Sequence, residues 1–150
     1  EEWYLCNQPD NEFRPDETNK DWKWLQDKMF QMANLVNDKV FHFDINGCDN
    51  ELKLIKYHHG GFYGWHTDFN AGTCSIRKLV GIIQLTDPSE YVGGDVQFGI
   101  QDKDTKEWYT MNKLKGSLTL FPAFLSHNVT PVTDGTRYVI QELFVGDHFK

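Results

Sequence analysis

Past Asp38 the apolar residues stop recurring every three or four positions and come instead in short alternating or β-branched runs. No other feature restricts the fold as much, because a period of two belongs to strands. The runs are "KVFHFDI", "ELKLIKY", "RKLVGIIQLT", "GDVQFGI", "EWYTM", "SLTLF" and "RYVIQELFV", each bounded by Gly, Pro, Asn or Asp. With the segments around His66 and His127 they make about eight strands, spaced as in a sandwich or barrel. Upstream, Leu25, Met29, Met32 and Val36 recur at intervals of four, three and four, with Trp22 and Ala33 widening the stripe. That is one buried helical face, closed by Asn37-Asp38. Two prolines and many turn formers between residues 7 and 21 predict an irregular lead-in. The expectation is one mainly β domain over 1–150: lead-in 1–21, packed N-terminal helix 22–37, β core 40–147.

A chain of 150 residues is long enough to close a single core. Its aromatic share of 15% favours a β-rich core or an aromatic-lined pocket. A formal net charge of −7 argues against nucleic acid and anionic membrane as partners. Cys6, Cys48 and Cys74 are odd in number, widely spaced and free of CxxC pairing, so neither a disulfide framework nor a zinc knuckle is expected. A reducing compartment fits, and the cytoplasm is the expected location. The opening "EEWYLC" has no signal-peptide pattern, and no apolar run suits a bilayer span. It also lacks an initiator Met, so a fragment or processed form is expected.

The segment "GGFYGWHTDFNAG" holds His66-Thr67-Asp68 among glycines and aromatic residues. An HxD match alone carries little weight, since 6 His and 14 Asp in 150 residues produce about half a match by chance. A second match, His42-Phe43-Asp44, sits in "KVFHFDI", where Phe41, Phe43 and Ile45 share one face, and it reads as the polar face of a half-buried strand. In an extended His66-Thr67-Asp68, by contrast, imidazole and carboxylate project to one side. A metal needs a third ligand, from His58, His59, His127 or His148. His127 is favoured: it follows an apolar strand that breaks at Phe121-Pro122 and precedes Arg137 by ten residues. Two His and one carboxylate with open positions is the coordination of non-haem Fe(II) oxygenases.

Arg137 allows a charge check. Fe(II) at +2, Asp68 at −1, a dicarboxylate such as 2-oxoglutarate at −2 and Arg137 at +1 sum to a neutral site, and a planar guanidinium fork suits a carboxylate. This reading places a demand on the fold. If Asp134-Gly135 were a tight hairpin, Arg137 would lie opposite Val132, about 16 Å along the strand from His127. The segment must therefore cross between sheets.

Over roughly residues 51 to 147 the chain resembles the Fe(II)- and 2-oxoglutarate-dependent oxygenases, within them the prolyl 4-hydroxylase-like group. The pattern comprises Tyr57, Gly60, Tyr63, His66 and Asp68, then Gly93-Gly94, Lys115-Gly116, Phe121-Pro122, His127, Pro131-Val132, Gly135 and Arg137. The resemblance implies a double-stranded β-helix, or jelly-roll. It also implies that His66, Asp68 and His127 hold Fe(II), that Arg137 binds the distal carboxylate of 2-oxoglutarate, and that Tyr57 hydrogen-bonds this co-substrate. Dioxygen and 2-oxoglutarate would be consumed, ascorbate would support turnover, and a peptide or small-molecule substrate would be hydroxylated, proline being the first guess. Collagen-type relatives carry Lys where this chain has Arg137, so the likeness is closer to oxygen-sensing and bacterial hydroxylases. Gln84 stands where some relatives supply a Tyr to the co-substrate, which makes it a candidate contact.

Blander readings apply elsewhere. His58 and His59 are expected in a loop, and "QDKDTKE" (101–107) at a solvated hairpin tip. Tyr63 and Trp65 divide evenly between core and pocket wall. The loop "NAGTCSIRK" (70–78) is expected to fold over substrate, with Ile76 and Arg77 as contacts. Three alternatives to an amino acid hydroxylase stand beside it: the same chemistry on another small molecule, a metal- or ligand-binding jelly-roll without turnover, and a zinc hydrolase. The last leaves Arg137 unexplained and has no HExxH motif.

Overall fold

A computed structural model describes residues 12–13, 22–49 and 52–149. The strands are β1 (Glu12–Phe13), β2 (Gly47–Cys48), β3 (Lys53–Tyr57), β4 (Tyr63–His66), β5 (Arg77–Gln84), β6 (Tyr91–Gly93), β7 (Val96–Gln101), β8 (Trp108–Thr110), β9 (Leu118–Pro122), β10 (His127–Val129), β11 (Val132–Gly135) and β12 (Arg137–Val145). One helix, α1 (Lys23–Asn37), lies between β1 and β2.

The strands form two facing sheets and a small ribbon. The major sheet runs β1-β3-β12-β5-β9, with β2 also on β12; the minor sheet runs β4-β10-β7-β8; β11 pairs with β6. The fold is a mainly β jelly-roll with a helix packed on its outside, as expected. The crossing demanded by Arg137 is present, since β10 belongs to the minor sheet and β12 to the major.

Period-two alternation along β12 decides what faces where. Val139 and Leu143 enter the core between the sheets, together with Ile55, Val80, Ile82, Val96, Phe121 and Val129. Ile140 and Phe144 point the other way, into a second core with Met29 and Ala33 of α1. Each fully buried Val, Leu, Ile, Phe or Met among them contributes roughly 1.5–3 kcal/mol over its exposed state. The buried helical series is Met29, Ala33 and Asn37, whereas Met32 is 40% exposed, against the expectation for it. Gln26 explains the rotation: its Nε2 donates to Glu142 Oε2 at 2.8 Å, which turns the 26-29-33-37 side toward the sheet.

Residues 39–45 correct a second expectation, for they form no strand. Phe41 and His42 donate backbone N–H groups to Asn37 O, and the Asn37 side chain clasps Phe43 on both its N–H (2.9 Å) and its carbonyl (2.8 Å). This buried amide supplies the partners a neighbouring strand would give, and it bends the chain through a positive φ of 56° at His42. The inside-outside alternation survives: Phe41, Phe43 and Ile45 pack on the helix-side core and His42 is exposed. Within the lead-in, Glu12–Phe13 is a strand paired with β3; the rest of 1–21, Cys6 included, lies outside the described residues. The 101–107 stretch is a turn between β7 and β8, and His58–Gly61 is a loop, both as read from sequence.

Candidate active site

Four segments from two sheets meet at one cavity of about 160 Å³. β4 supplies His66, the loop after it Asp68, β10 His127, and the start of β12 Arg137. Asp68 is tied to the turn before β10 through its own N–H and that of Phe69, both donated to Ala123 O at 2.9 and 3.1 Å.

The sequence alone does not show how Tyr63 and His66 come to the same face. Pairing of β4 with β10 sets His66 against His127 and Tyr63 against Val129, so three β4 steps oppose two. That register shift puts both residues inside, with ring centroids 3.7 Å apart, and leaves Trp65 outside at 46% exposure beside Trp108. Tyr63 is therefore cavity wall and Trp65 is not. A second shift acts on β5: Phe144 pairs with Leu79 but Val145 with Arg77, so Lys78 is an extra residue. Strict alternation would send Arg77 outward with Leu79. The shift turns it into the cavity lining.

His66, Asp68 and His127 offer ligand atoms all within 4.8 Å of one another. Nε2 of His66 lies 3.9 Å from Asp68 Oδ1, and Nε2 of His127 lies 3.6 Å from Oδ2. Each Nδ1 faces a backbone carbonyl, Gly64 O at 2.7 Å for His66 and Leu125 O at 2.9 Å for His127. With Nδ1–H donating there, both Nε2 lone pairs point to the common centre, the tautomer a metal requires. Burial and the neighbouring His127 push His66 below the usual imidazole range, which favours the neutral, ligating ring. Asp68 Oδ2 is buried without a hydrogen-bond partner. A divalent cation would satisfy that oxygen, so the donor set fits the metal implied by the pattern.

At the other end sits Arg137, 1% exposed. Its guanidinium carbon lies 5.4 Å from the ring centre of Tyr57, its cross-strand neighbour, and Tyr57 lines the same cavity. Gln84 Oε1 accepts from Arg137 Nε at 3.1 Å, while Gln84 Nε2 donates to Thr86 O at 2.9 Å and to the Tyr91 hydroxyl at 3.1 Å. Gln84 thus braces the guanidinium from behind and is absent from the cavity wall. Burial lowers the pKa of Arg137, and Tyr57 and Tyr91 counter it; an arginine stays charged regardless. Its Nη2 is buried with no partner. Gly94 gives the side chain room, since a Cβ there would meet Arg137 Cδ at 3.1 Å.

Arg77 was read from sequence as a loop contact; it starts β5 instead, just after a 3-10 turn, Gly72–Ile76. Its Nε donates to Asp49 Oδ2 at 2.5 Å and its Nη1 to Asp68 O at 3.2 Å. Lys53 and Gln141 also line the cavity and are missing from the sequence reading. Period two could have found them, as Lys53 shares a face with Tyr57 and Gln141 with Arg137. His42, His58, His59 and His148 are not in the cluster. Cys48 and Cys74 are free thiols, and burial pushes Cys48 up to about 12, away from reactivity. Among the described residues no helix is long and apolar enough to cross a membrane.

Residues 52–144 match the model of the 2OG-Fe(II) oxygenase superfamily. A "PKHD-type hydroxylase" of Aliarcobacter butzleri (strain RM4018) is 33% identical over 90 residues, covering 56% of this chain and 38% of that protein. The chain therefore spans well under half the length of such relatives. A Pseudomonas putida prolyl-4-hydroxylase has the same fold, with TM-score 0.70 and 17% identity, over 91% of this chain and 71% of the other. So has a Trichoplax adhaerens prolyl hydroxylase solved in complex with a hypoxia inducible factor peptide fragment: TM-score 0.65, 17% identity, 83% of this chain and 56% of the other.

Proposed function

The chain belongs to the 2OG-Fe(II) oxygenase superfamily, and from that premise we propose that it is an Fe(II)- and 2-oxoglutarate-dependent hydroxylase acting on a peptidyl or free amino acid, proline first. His66, Asp68 and His127 hold Fe(II); Arg137 takes the distal carboxylate of 2-oxoglutarate, beside Tyr57. When bound, iron supplies the redox chemistry by which dioxygen oxidises 2-oxoglutarate to succinate and carbon dioxide and the substrate gains a hydroxyl group.

The chain's own work is placement and electrostatics. Two backbone carbonyls fix the imidazole tautomers, and Gln84 fixes the guanidinium before the co-substrate arrives. Preorganised groups of this kind need not reorient when the ligand binds. Tyr63 and Phe121 pack against the ligand imidazoles and keep water from their flanks.

One observation carries the reading: a single cavity contains a buried carboxylate oxygen and a buried guanidinium nitrogen, both without partners. Buried polar atoms are normally satisfied, and a cation at one end with a dicarboxylate reaching the other satisfies both. Proline rests on likeness to relatives named as prolyl hydroxylases.

The test is anaerobic titration of the metal-free protein with Fe(II) and 2-oxoglutarate, following the visible metal-to-ligand charge-transfer band. The band is expected in the parent and lost or much weakened in Asp68→Ala and Arg137→Ala. No band at saturating iron refutes the proposal and redirects work to zinc. Proline peptides, with ascorbate as reductant, are the first substrates to assay.

A further inference from the structure

Three stretches of backbone meet at Ala123. Its N–H donates to Lys78 O at 2.9 Å, which ties it to β5, and its carbonyl accepts the N–H groups of Asp68 and Phe69. Asp68 has no strand of its own to hold it, since β4 ends at His66. Its Oδ2 has no hydrogen-bond partner either, so the carboxylate is aimed from its backbone. The Ala123 junction and the bond from Arg77 Nη1 to Asp68 O therefore decide where this oxygen sits relative to the two imidazoles. Hydrogen bonds in loops open more readily than those of a packed sheet.

One ring lies against all three stretches. Phe149, in the segment that follows β12, packs at a steep angle on Phe69 (centroids 5.7 Å apart, planes at 64°) and on Phe124 (6.1 Å, 69°), the sequence neighbours of Asp68 and Ala123. The third stretch contributes Lys78, whose Nζ lies 3.4 Å from the centre of the same ring, inside the range of a cation–π contact. Phe43 adds a fourth contact at 5.8 Å and 84°. Lys78 is 2% exposed, and the ring face replaces part of the water its ammonium has lost; Asp44 and Asp147 favour its charged form. The segment carrying the ring is fastened on the way: Gly146 N–H donates to Ile76 O at 3.0 Å, and His148 Nδ1 lies 3.0 Å from Ser75 Oγ.

The geometry points to Phe149 as a positioning residue that clamps the Asp68 loop to the Ala123 turn, so that the carboxylate is in place before a metal binds. The inference rests on the reading of His66, Asp68 and His127 as metal ligands. Phe149 is 47% exposed, so general core packing does not account for it: a ring half in solvent adds little to the core, whereas its contacts are concentrated on the residues beside one ligand. A ligand site needs such support, because a donor held about 0.5 Å out of place is no longer preorganised.

Amide hydrogen exchange in the metal-free protein and calorimetry with Mn(II) test the clamp together. In Phe149→Ala the Asp68 and Phe69 amides are expected to exchange at least about tenfold faster than in the parent, with those of Ile82 and Val139 in the major sheet unchanged. Mn(II) should bind about 10- to 100-fold more weakly, the range usual when a group that orients a ligand is removed. Phe149→Tyr keeps the ring and should stay within about twofold of the parent in both measurements. Met29→Ala, in the helix-side core, is the control for lost stability alone: it should lower the urea midpoint more than Phe149→Ala does and keep parental Mn(II) affinity. Parental exchange at Asp68 and Phe69 in Phe149→Ala overturns the proposal. So does parental Mn(II) affinity in that variant, and so does exchange that rises equally in all strands, the mark of general loosening. A parent protein that binds no Mn(II) refutes the metal reading instead, and the exchange comparison, made without metal, then decides the clamp alone.

Discussion

Replacing Gln84 by Glu would keep an acceptor oxygen at Arg137 Nε while placing a negative charge behind the guanidinium. Oε1 lies 3.1 Å from Nε. Across the width of the guanidinium and one further hydrogen bond, a bound carboxylate would sit about 7 Å from the new charge. At an effective dielectric of about 20 the repulsion is about 2.4 kcal/mol, or on the order of 50-fold in affinity. Gln84→Leu does the opposite: it removes the brace and leaves Nε as well as Nη2 unpartnered in a site where Arg137 is 1% exposed. A lost bond to a buried charge costs about 1.5–3 kcal/mol, and Thr86 O and the Tyr91 hydroxyl lose a donor too. Urea unfolding and 2-oxoglutarate calorimetry with Mn(II) measure both quantities. Both variants lose the Nε2 donor to Thr86 O and should unfold more easily, the Leu variant by at least about 2 kcal/mol, and affinity is what marks the Glu variant, which should bind 2-oxoglutarate on the order of 50-fold more weakly. Parental affinity in the Glu variant would refute the view that Arg137 receives the co-substrate and that Gln84 sets its charge environment.

Gly135 has φ +69°, and a Cβ there would sit on the carbonyl oxygen of Glu90; Gly135→Ala should therefore cost about 2–4 kcal/mol by denaturant unfolding, and a change within 0.5 kcal/mol would show that the β6–β11 ribbon gives way. The Glu142 carboxyl is raised from 4.5 to about 7 by burial, so between those values the folded state binds more protons than the unfolded. Its contribution is full below about pH 4.5 and is lost as pH climbs through about 7, roughly 3 kcal/mol in all, and Glu142→Gln should flatten that part of the stability profile. Met29→Ala opens a hole between α1 and β12 and should cost about 2–4 kcal/mol without weakening Mn(II) binding; joint loss would show that the helix shapes the metal cluster.

The candidate ligands were legible because their evidence lies in residue identity and order. His66, Asp68 and His127 are the residues a cation would need, and the chain crossing required by Arg137 followed from length alone. Strand positions came through for the same reason, since alternation records which face is dry. Register shifts were not legible. Nothing in "FYGWHTD" or "SIRKLV" says that one residue is extra, yet those two insertions decide that Tyr63 and Arg77 line the cavity. Asn37 closes the helix as the sequence suggests, but its further part was not legible: its amide replaces a strand partner for Phe43. At Gln84 the position was identified, but its direction depends on Tyr91 and Thr86, which the pattern does not tie to it.

The place of β12 has a consequence for how the chain reaches this state. Of the described strands it is the last to be synthesised, and yet β2, β3 and β5 all take it as a partner. Until residue 145 is available, β3 and β5 each lack a neighbour on that side, and the apolar faces of the helix and the major sheet have no common centre. Nascent chains that stop short of Val145 should thus display open strand edges and associate with one another, and closure, when it comes, must join β3 to a strand 80 to 88 residues further on, which makes it slow for a domain of this size. Folding and completion of the cavity become one event, because the strand that zips the sheet is the strand that brings Arg137.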